Sequence, residues 1–153
     1  MDPTAVAAGM LELVPFARTL GVAVTSVALL EDGRVRAVAE LPDAEAIHNH
    51  VGGPHAGALF SLGESASGAT VMAAFGDHMD RGLPLAVRAD IAYRKIAMGP
   101  ATATATLERT PADVLAELDA GVRPEFPVTI SIATADGTVT AEMTVVWTLR
   151  PHR

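Results

Sequence analysis

Residues 48–66 have the sequence HNHVGGPHAGALFSLGESA. Its first half is rich in His, Gly and Pro, which is typical of a loop. From His55 to Phe75 apolar side chains recur at helical spacing, and many of the other residues are Ala or Gly. This pattern predicts a loop that leads into one long helix, about residues 55–76. Because its side chains are small, other elements can approach the helix closely from several directions.

The flanking segments predict strands. Before the loop we expect a helical segment that Pro15 breaks or restarts, and then a hairpin whose turn is Glu31-Asp32-Gly33. After the long helix we expect four strands and a short helix, with a Gly99-Pro100 turn joining the first two of these strands. The predicted strands span residues 21–30, 34–41, 85–97, 101–109, 128–135 and 138–149. Six strands and one long helix make a single α+β domain over residues 1–153.

Composition excludes several classes of function. The chain has 153 residues, half of them apolar, and its formal net charge is −7, from 11 basic and 18 acidic residues. It has no basic run, so we expect neither nucleic acid nor an anionic membrane as a partner. It has no Cys, which excludes disulfides, thiolate metal sites and a cysteine nucleophile. No signal peptide or membrane span is visible, and we expect a cytoplasmic protein.

The spacing of three polar residues in the first-quoted stretch resembles the signature of hotdog-fold acyl-CoA thioesterases of the phenylacetate-pathway type. Asn49 lies six residues before His55, and Glu64 lies nine residues after it. Ala56 stands where that family has the first Gly of a His-Gly-Gly motif. The segment from Tyr93 to Pro100 is also similar to the family's strand that ends in a Gly turn.

The resemblance implies a hotdog fold, in which a curved antiparallel sheet of about six strands wraps around one long central helix. It also implies hydrolysis of an acyl-CoA or a related acyl thioester to the free acid and CoA, without a cofactor. Hotdog sheets pair edge to edge, so we expect a homodimer or a homotetramer. The acyl chain is then expected between the helix and the partner subunit.

Four residues are the candidate catalytic groups. Backbone N–H groups at a helix start are natural donors to the oxyanion that forms when a thioester carbonyl is attacked, and Ala56 and Gly57 occupy that position. Asn49 offers an amide to orient the carbonyl or the attacking water. Glu64 is the only acid between Glu45 and Asp77, so burial among small residues is expected to raise its pKa and make it a base or nucleophile.

Other polar residues nearby are secondary candidates. We place His55, Ser65 and Ser67 among the substrate-binding residues, and we expect His55 mainly to position the loop. His48, His50 and His55 also raise the possibility of a zinc triad. A loop does not preserve the alternation of a strand, however, so we predict no metal site.

Two other functions stay open. His50 and Glu64 are fourteen residues apart, as are the catalytic His and Glu of hotdog 3-hydroxyacyl dehydratases. A non-catalytic acyl-CoA-binding module is the other alternative.

For hydrolysis, helix geometry adds a condition. Glu64 lies eight residues beyond Ala56, about 12 Å along a helix axis, so one carbonyl cannot reach both groups in one chain. The sequence therefore predicts an active site shared between two subunits.

Overall fold

The computed structural model describes residues 2–152. In chain order the helices are α1 (Pro3–Glu12), α2 (Pro15–Leu20), α3 (Ala56–Phe75) and α4 (Pro111–Asp119). The strands are β1 (Ala23–Leu29), β2 (Val35–Leu41), β3 (Gly82–Tyr93), β4 (Ala101–Leu107), β5 (Glu125–Thr134) and β6 (Val139–Pro151). The helical segment expected before the loop is two helices, and Pro15 marks the restart, because proline cannot continue a helix but is favoured at the first position of one.

The strands form one antiparallel sheet in the order β1-β2-β4-β5-β6-β3. This order corrects the expected connection at Gly99-Pro100. Because β3 pairs only with β6 while β4 lies between β2 and β5, residues 94–100 are a crossover loop and not a tight turn between paired strands. Within it, Gly99 has a φ of 76°, which favours glycine.

The long helix α3 packs against the middle of the sheet, chiefly β2, β4 and β5. On β4, Ala101, Ala103 and Ala105 are almost completely buried, so the predicted small apolar face of this strand is confirmed. A β-carbon on Gly63 of α3 would lie 2.5 Å from Met143 Sδ, which shows how closely the helix approaches β6. This sheet around one central helix is the hotdog fold that the sequence predicts.

The two edges of the sheet differ. At the β1 edge, α1 packs on the strand, and the backbone N–H of Val27 donates to Thr4 Oγ1 at 3.0 Å. At the other edge, β3 pairs with β6 on one side and with no other described strand on its opposite side. Its outer backbone groups are therefore available to another strand. Within residues 2–152, no helix is both long enough and apolar enough to cross a membrane.

Candidate active site

The Asn49 side chain shapes the loop that leads into α3. Its Oδ1 accepts hydrogen bonds from the backbone N–H groups of Val51 (3.0 Å) and Gly53 (3.2 Å), and its Nδ2 donates to the Pro54 carbonyl at 3.4 Å. The loop also packs tightly on the crossover, since a β-carbon on Gly53 would fall well inside contact with the carbonyl oxygen of Ala97. Asn49 is thus a turn-forming residue that also lines the cavity at the helix start.

His55 caps the start of α3. Its carbonyl accepts from the N–H groups of Ala58 and Leu59, and its Nδ1 accepts from the Gly57 N–H at 2.8 Å. This bond requires a lone pair on Nδ1, so the neutral ring holds its proton on Nε2. The cap engages the N–H of Gly57, one of the two predicted oxyanion donors. The other, the N–H of Ala56, has no acceptor in the described part of the chain, and Ala56 is exposed.

A cavity of about 420 Å³ opens beside this N–H, and we call it the α3-start cavity. It is lined by Asn49, His50, Val51, Pro54, Ala56, Leu59, Tyr93, Arg94, Lys95, Ile96 and Ala97. The Tyr93 hydroxyl donates to the Ala56 carbonyl at 2.8 Å and so ties the end of β3 to the first residue of α3. None of these described lining residues is acidic, whereas Arg94 and Lys95 are cationic.

Glu64 lines a second cavity of about 310 Å³, which we call the Glu64 cavity. It is lined by Ala7, Leu11, Leu13, Val14, Glu64, Ser65, Gly68, Ala69, Met72, Pro84 and Trp147. Glu64 is half-buried, and no ion pair or side-chain hydrogen bond within residues 2–152 involves its carboxylate. Burial raises the pKa of Glu64 above its ordinary value, as the sequence predicts.

The two predicted serines have different environments. Ser65 is buried and lines the Glu64 cavity. Ser67 is completely buried, and its hydroxyl donates to the Glu64 carbonyl at 2.7 Å and accepts from Trp147 Nε1 at 3.1 Å. Because both contacts are internal, Ser67 holds the indole that walls the cavity, and its hydroxyl is not presented to a ligand.

The histidines of the loop do not converge. His48 Nε2 lies 2.6 Å from Asp43 Oδ1, His50 is exposed at the α3-start cavity, and His55 caps the helix. No three His, Cys, Asp or Glu residues among those described form a group able to hold a metal ion.

The structure therefore divides the candidates between two cavities. Asn49, Ala56 and His50 line the α3-start cavity, Glu64 and Ser65 line the other, and the two cavities have no lining residue in common. Sequence reasoning missed Tyr93 and Trp147 as site residues. Each is the only residue of its type in a chain poor in aromatics, and this scarcity is a signal that could have identified them.

Solved structures with the same fold come from several bacteria. A protein of unknown function from Pseudomonas aeruginosa, described as a probable thioesterase, is 26% identical, with a TM-score of 0.83 over 98% of this chain and 97% of that chain. A thioesterase family protein from Silicibacter pomeroyi is 19% identical, with a TM-score of 0.73 over 98% and 99% of the two chains. A mutant thioesterase from Pseudomonas aeruginosa is 17% identical, with a TM-score of 0.71 over 95% and 94%.

A search of curated proteins finds no match to this sequence. A family model does match, over residues 3–149, and it is described as a domain of unknown function, DUF4442. Because the match spans almost the whole chain, the protein belongs to the DUF4442 family.

Proposed function

We propose that this protein hydrolyses an acyl-CoA or a related acyl thioester. The observation that supports this most directly is Glu64, a half-buried carboxylate with a raised pKa in the lining of a largely apolar cavity. A base of this kind takes up a proton near neutral pH more readily than an ordinary carboxylate does. The 26% identical Pseudomonas protein of the same fold, described as a probable thioesterase, supports the same chemistry.

In the reaction that we propose, water attacks the thioester carbonyl while Glu64 accepts a proton from it. The oxygen of the tetrahedral intermediate accepts a hydrogen bond from the Ala56 N–H. The C–S bond then breaks, and the thiolate leaves and takes up the proton that Glu64 accepted from water. A thiol has an ordinary pKa of about 8.5, so the thiolate is a good leaving group. In a second route that we propose as an alternative, the Glu64 carboxylate attacks the thioester carbonyl directly, the C–S bond breaks as the thiolate leaves, and water hydrolyses the resulting anhydride.

The Glu64 cavity is the proposed acyl site. Apart from Glu64 and Ser65, every described residue that lines it is apolar or glycine. An uncharged alkyl or aryl group gains burial there, whereas the carboxylate of a dicarboxylic acyl group would be placed beside Glu64 and repelled. We therefore propose an uncharged acyl group, with the Ser65 hydroxyl as a contact at the cavity wall.

The two cavities belong to different parts of α3, so we propose that each active site is built from two chains. Ala56 and Asn49 would come from one subunit and Glu64 from the other, in a homodimer or a pair of homodimers in the cytoplasm. The exposed outer edge of β3 supports such pairing, since two copies joined there would extend each sheet and place their α3 helices side by side.

The test is a thiol-release screen over short, medium, long and aryl acyl-CoAs, with wild type, Glu64→Gln and the matched control Glu31→Gln. Glu31 is exposed in the β1–β2 turn. We expect free CoA from wild type and the control, and a loss of about 10²–10⁴-fold in Glu64→Gln. A folded Glu64→Gln protein with full turnover would remove Glu64 from the mechanism.

Two additions to this screen, 3-hydroxyacyl-CoA as a substrate and a measurement of acyl-CoA binding, separate the two alternatives. If 3-hydroxyacyl-CoA gives an enoyl absorbance and no thiol, the protein is a dehydratase, and His50 and Glu64 become its candidate pair. Tight acyl-CoA binding with no turnover at any chain length would instead indicate a non-catalytic binding module.

A further inference from the structure

We propose that Lys95, together with Arg94 and His50, binds phosphate groups on the thiol side of the substrate at the α3-start cavity. The ligand class is a phosphorylated pantetheine thioester. Its phosphates belong either to the nucleotide of CoA or to the phosphopantetheine arm of a carrier protein. This inference rests on the proposed thioester hydrolysis and specifies which part of the substrate the cavity recognises.

Lys95 is the only lysine in a chain with a net charge of −7. It lies in the 94–100 crossover and lines the α3-start cavity beside the open N–H of Ala56. Its backbone N–H donates to the Thr140 carbonyl at 3.1 Å, so its main chain is held against β6. Its ammonium group is exposed, and no carboxylate in residues 2–152 forms an ion pair with it. The only lysine ammonium of the chain is therefore available to an anionic ligand.

Arg94 adds a second cation, whose Nε is paired with a carboxylate of β6. Its backbone N–H also donates to Thr140, at 2.8 Å, and its Nε donates to Glu142 Oε2 at 3.2 Å. No described group accepts from its two terminal nitrogens, which are the ones that form fork-like bonds to phosphate. Glu142 itself is outside the lining of the cavity. Arg94 is therefore held by one carboxylate while its remaining donors stay available.

The rest of the cavity matches a pantetheine arm more closely than a bare phosphate. Exposed apolar side chains stand at its rim, with Ile96 75% exposed and Val51 47% exposed. His50 adds an exposed ring that is able to donate. With no acid among the described lining residues, the cavity combines apolar contacts with local positive charge. An overall negative protein repels a polyanion at long range, so binding one requires such local cations.

The main experiment compares one acyl group on four thiols: CoA, dephospho-CoA, 4′-phosphopantetheine and pantetheine. Thiol release gives kcat and KM for wild type, Lys95→Met, Lys95→Arg and the control Arg18→Met, which alters an exposed cation on α2. We expect Lys95→Met to raise KM for acyl-CoA at least about fivefold with kcat unchanged, and Lys95→Arg to recover most of that loss. Acyl-pantetheine has no phosphate and is expected to respond to neither variant.

The four thiols also identify the phosphates. An effect of Lys95→Met that is confined to acyl-CoA and its dephospho form indicates the nucleotide, whereas an effect that persists with phosphopantetheine indicates the phosphate of the arm. An unchanged KM for acyl-CoA in Lys95→Met, or an equal rise for acyl-pantetheine, overturns the proposal.

A second measurement does not depend on turnover. Acetic anhydride acetylates ε-amino groups, and this chain has only one, so mass spectrometry reports on Lys95 directly. We expect CoA to protect Lys95 from acetylation, and calorimetry to show CoA binding that Lys95→Met weakens and added salt reduces. Protection without thioester hydrolysis would refute the proposed function and keep this inference. Thioester hydrolysis without protection of Lys95 would support the proposed function and overturn this inference.

Discussion

Replacing Ala56 with proline would remove one backbone N–H while leaving the start of α3 in place. Ala56 is the first residue of the helix, where an N–H has no intrahelical acceptor and where proline is favoured. The preceding His55 has φ −59° and ψ 144°, a conformation that residues before proline prefer. The carbonyl of Ala56, which accepts from Tyr93, is unchanged. Ala56→Pro is therefore a specific test of the proposed oxyanion donor.

The expected effects on rate and stability differ in size. Loss of one oxyanion donor typically lowers kcat by about 10²–10³-fold. The free energy of unfolding should stay the same or rise by up to about 1 kcal/mol, because proline restricts the unfolded chain at a compatible position. Ala56→Gly keeps the N–H and serves as the matched control, with an expected kcat close to wild type. Thiol release measures the rate, and urea unfolding followed by circular dichroism measures the stability.

Mixing variants then tests the sharing of the site. When Ala56→Pro and Glu64→Gln chains are unfolded and refolded together, half of the dimers are heterodimers, each with one intact site of two. The shared site therefore predicts about a quarter of the wild-type activity from two nearly inactive proteins. A site within one chain predicts none. Refolding wild type with a chain that carries both Ala56→Pro and Glu64→Gln gives the opposite ranking. The shared site then predicts about a quarter of the wild-type activity, and the single-chain site predicts about a half.

Two results would refute this reasoning. A folded Ala56→Pro protein with wild-type kcat shows that the N–H of Ala56 does not stabilise the transition state. If heterodimers form and both variants alone are inactive, but mixing restores no activity, then Ala56 and Glu64 act within one chain. A monomer in light scattering at micromolar concentration would also exclude the shared site.

Three further predictions concern stability. Because burial raises the pKa of Glu64, the folded protein binds a proton more readily there than the unfolded chain does, so the contribution of Glu64 to the free energy of unfolding falls as pH rises from about 4 towards neutrality. Urea unfolding should show the stability of Glu64→Gln relative to wild type increasing over that interval. Ser67→Ala leaves the buried Trp147 Nε1–H without its acceptor, and denaturation should show the free energy of unfolding lowered by about 1–3 kcal/mol. In thiol release, KM should change only if the loss of this contact displaces the indole that lines the cavity. Gly53→Ala places a methyl group against the carbonyl oxygen of Ala97 and should cost about 1–3 kcal/mol by the same denaturation assay, so a neutral result would show that the two loops pack less tightly than described.

Local patterns in the sequence predict most of the elements. The alternation of Ala and Thr from Ala101 to Thr106 predicts a strand with a small buried face, and β4 has that face against α3. The start and end of α3 follow from the change of composition near His55 and Phe75. These features depend on residues that are close in sequence. Apolar residues repeat every two positions in a strand and about every 3.6 positions in a helix, so a single sequence is enough to detect them.

The position of β3 in the sheet was not predictable in the same way. No sequence pattern between Tyr93 and Ala101 indicates that the chain passes from one edge of the sheet to its middle. The order of strands depends on which strands and helices pack together after the long connecting segments fold, and no local sequence pattern predicts that packing. The expected turn at Gly99-Pro100 was wrong for this reason, although the two strands themselves were predicted.

In the candidate site too, features that depend on nearby residues in sequence were predictable, whereas contacts between distant residues were not. The absence of charged neighbours around Glu64 predicted its raised pKa, and the structure agrees. The contact between Ser67 and Trp147 joins residues 80 positions apart, so the serine's internal role had no signal in its own surroundings. The use of the Gly57 N–H by His55 depends on how the imidazole ring is turned, which the spacing of the motif does not specify.

The small residues of α3 account for both the packing and the chemistry of this helix. The sheet approaches closely because Gly63 and its neighbours present little side-chain volume, which is why Met143 fits against the helix. The alanine and glycine side chains of α3 have no hydrogen-bond donor for a carboxylate, and the apolar side chains of α1 cover part of the space around Glu64. A carboxyl group in such surroundings loses part of its hydration without gaining a cation, and its pKa rises. The packing that stabilises the hotdog core therefore also raises the pKa of Glu64, which is the property that its proposed role as a base requires.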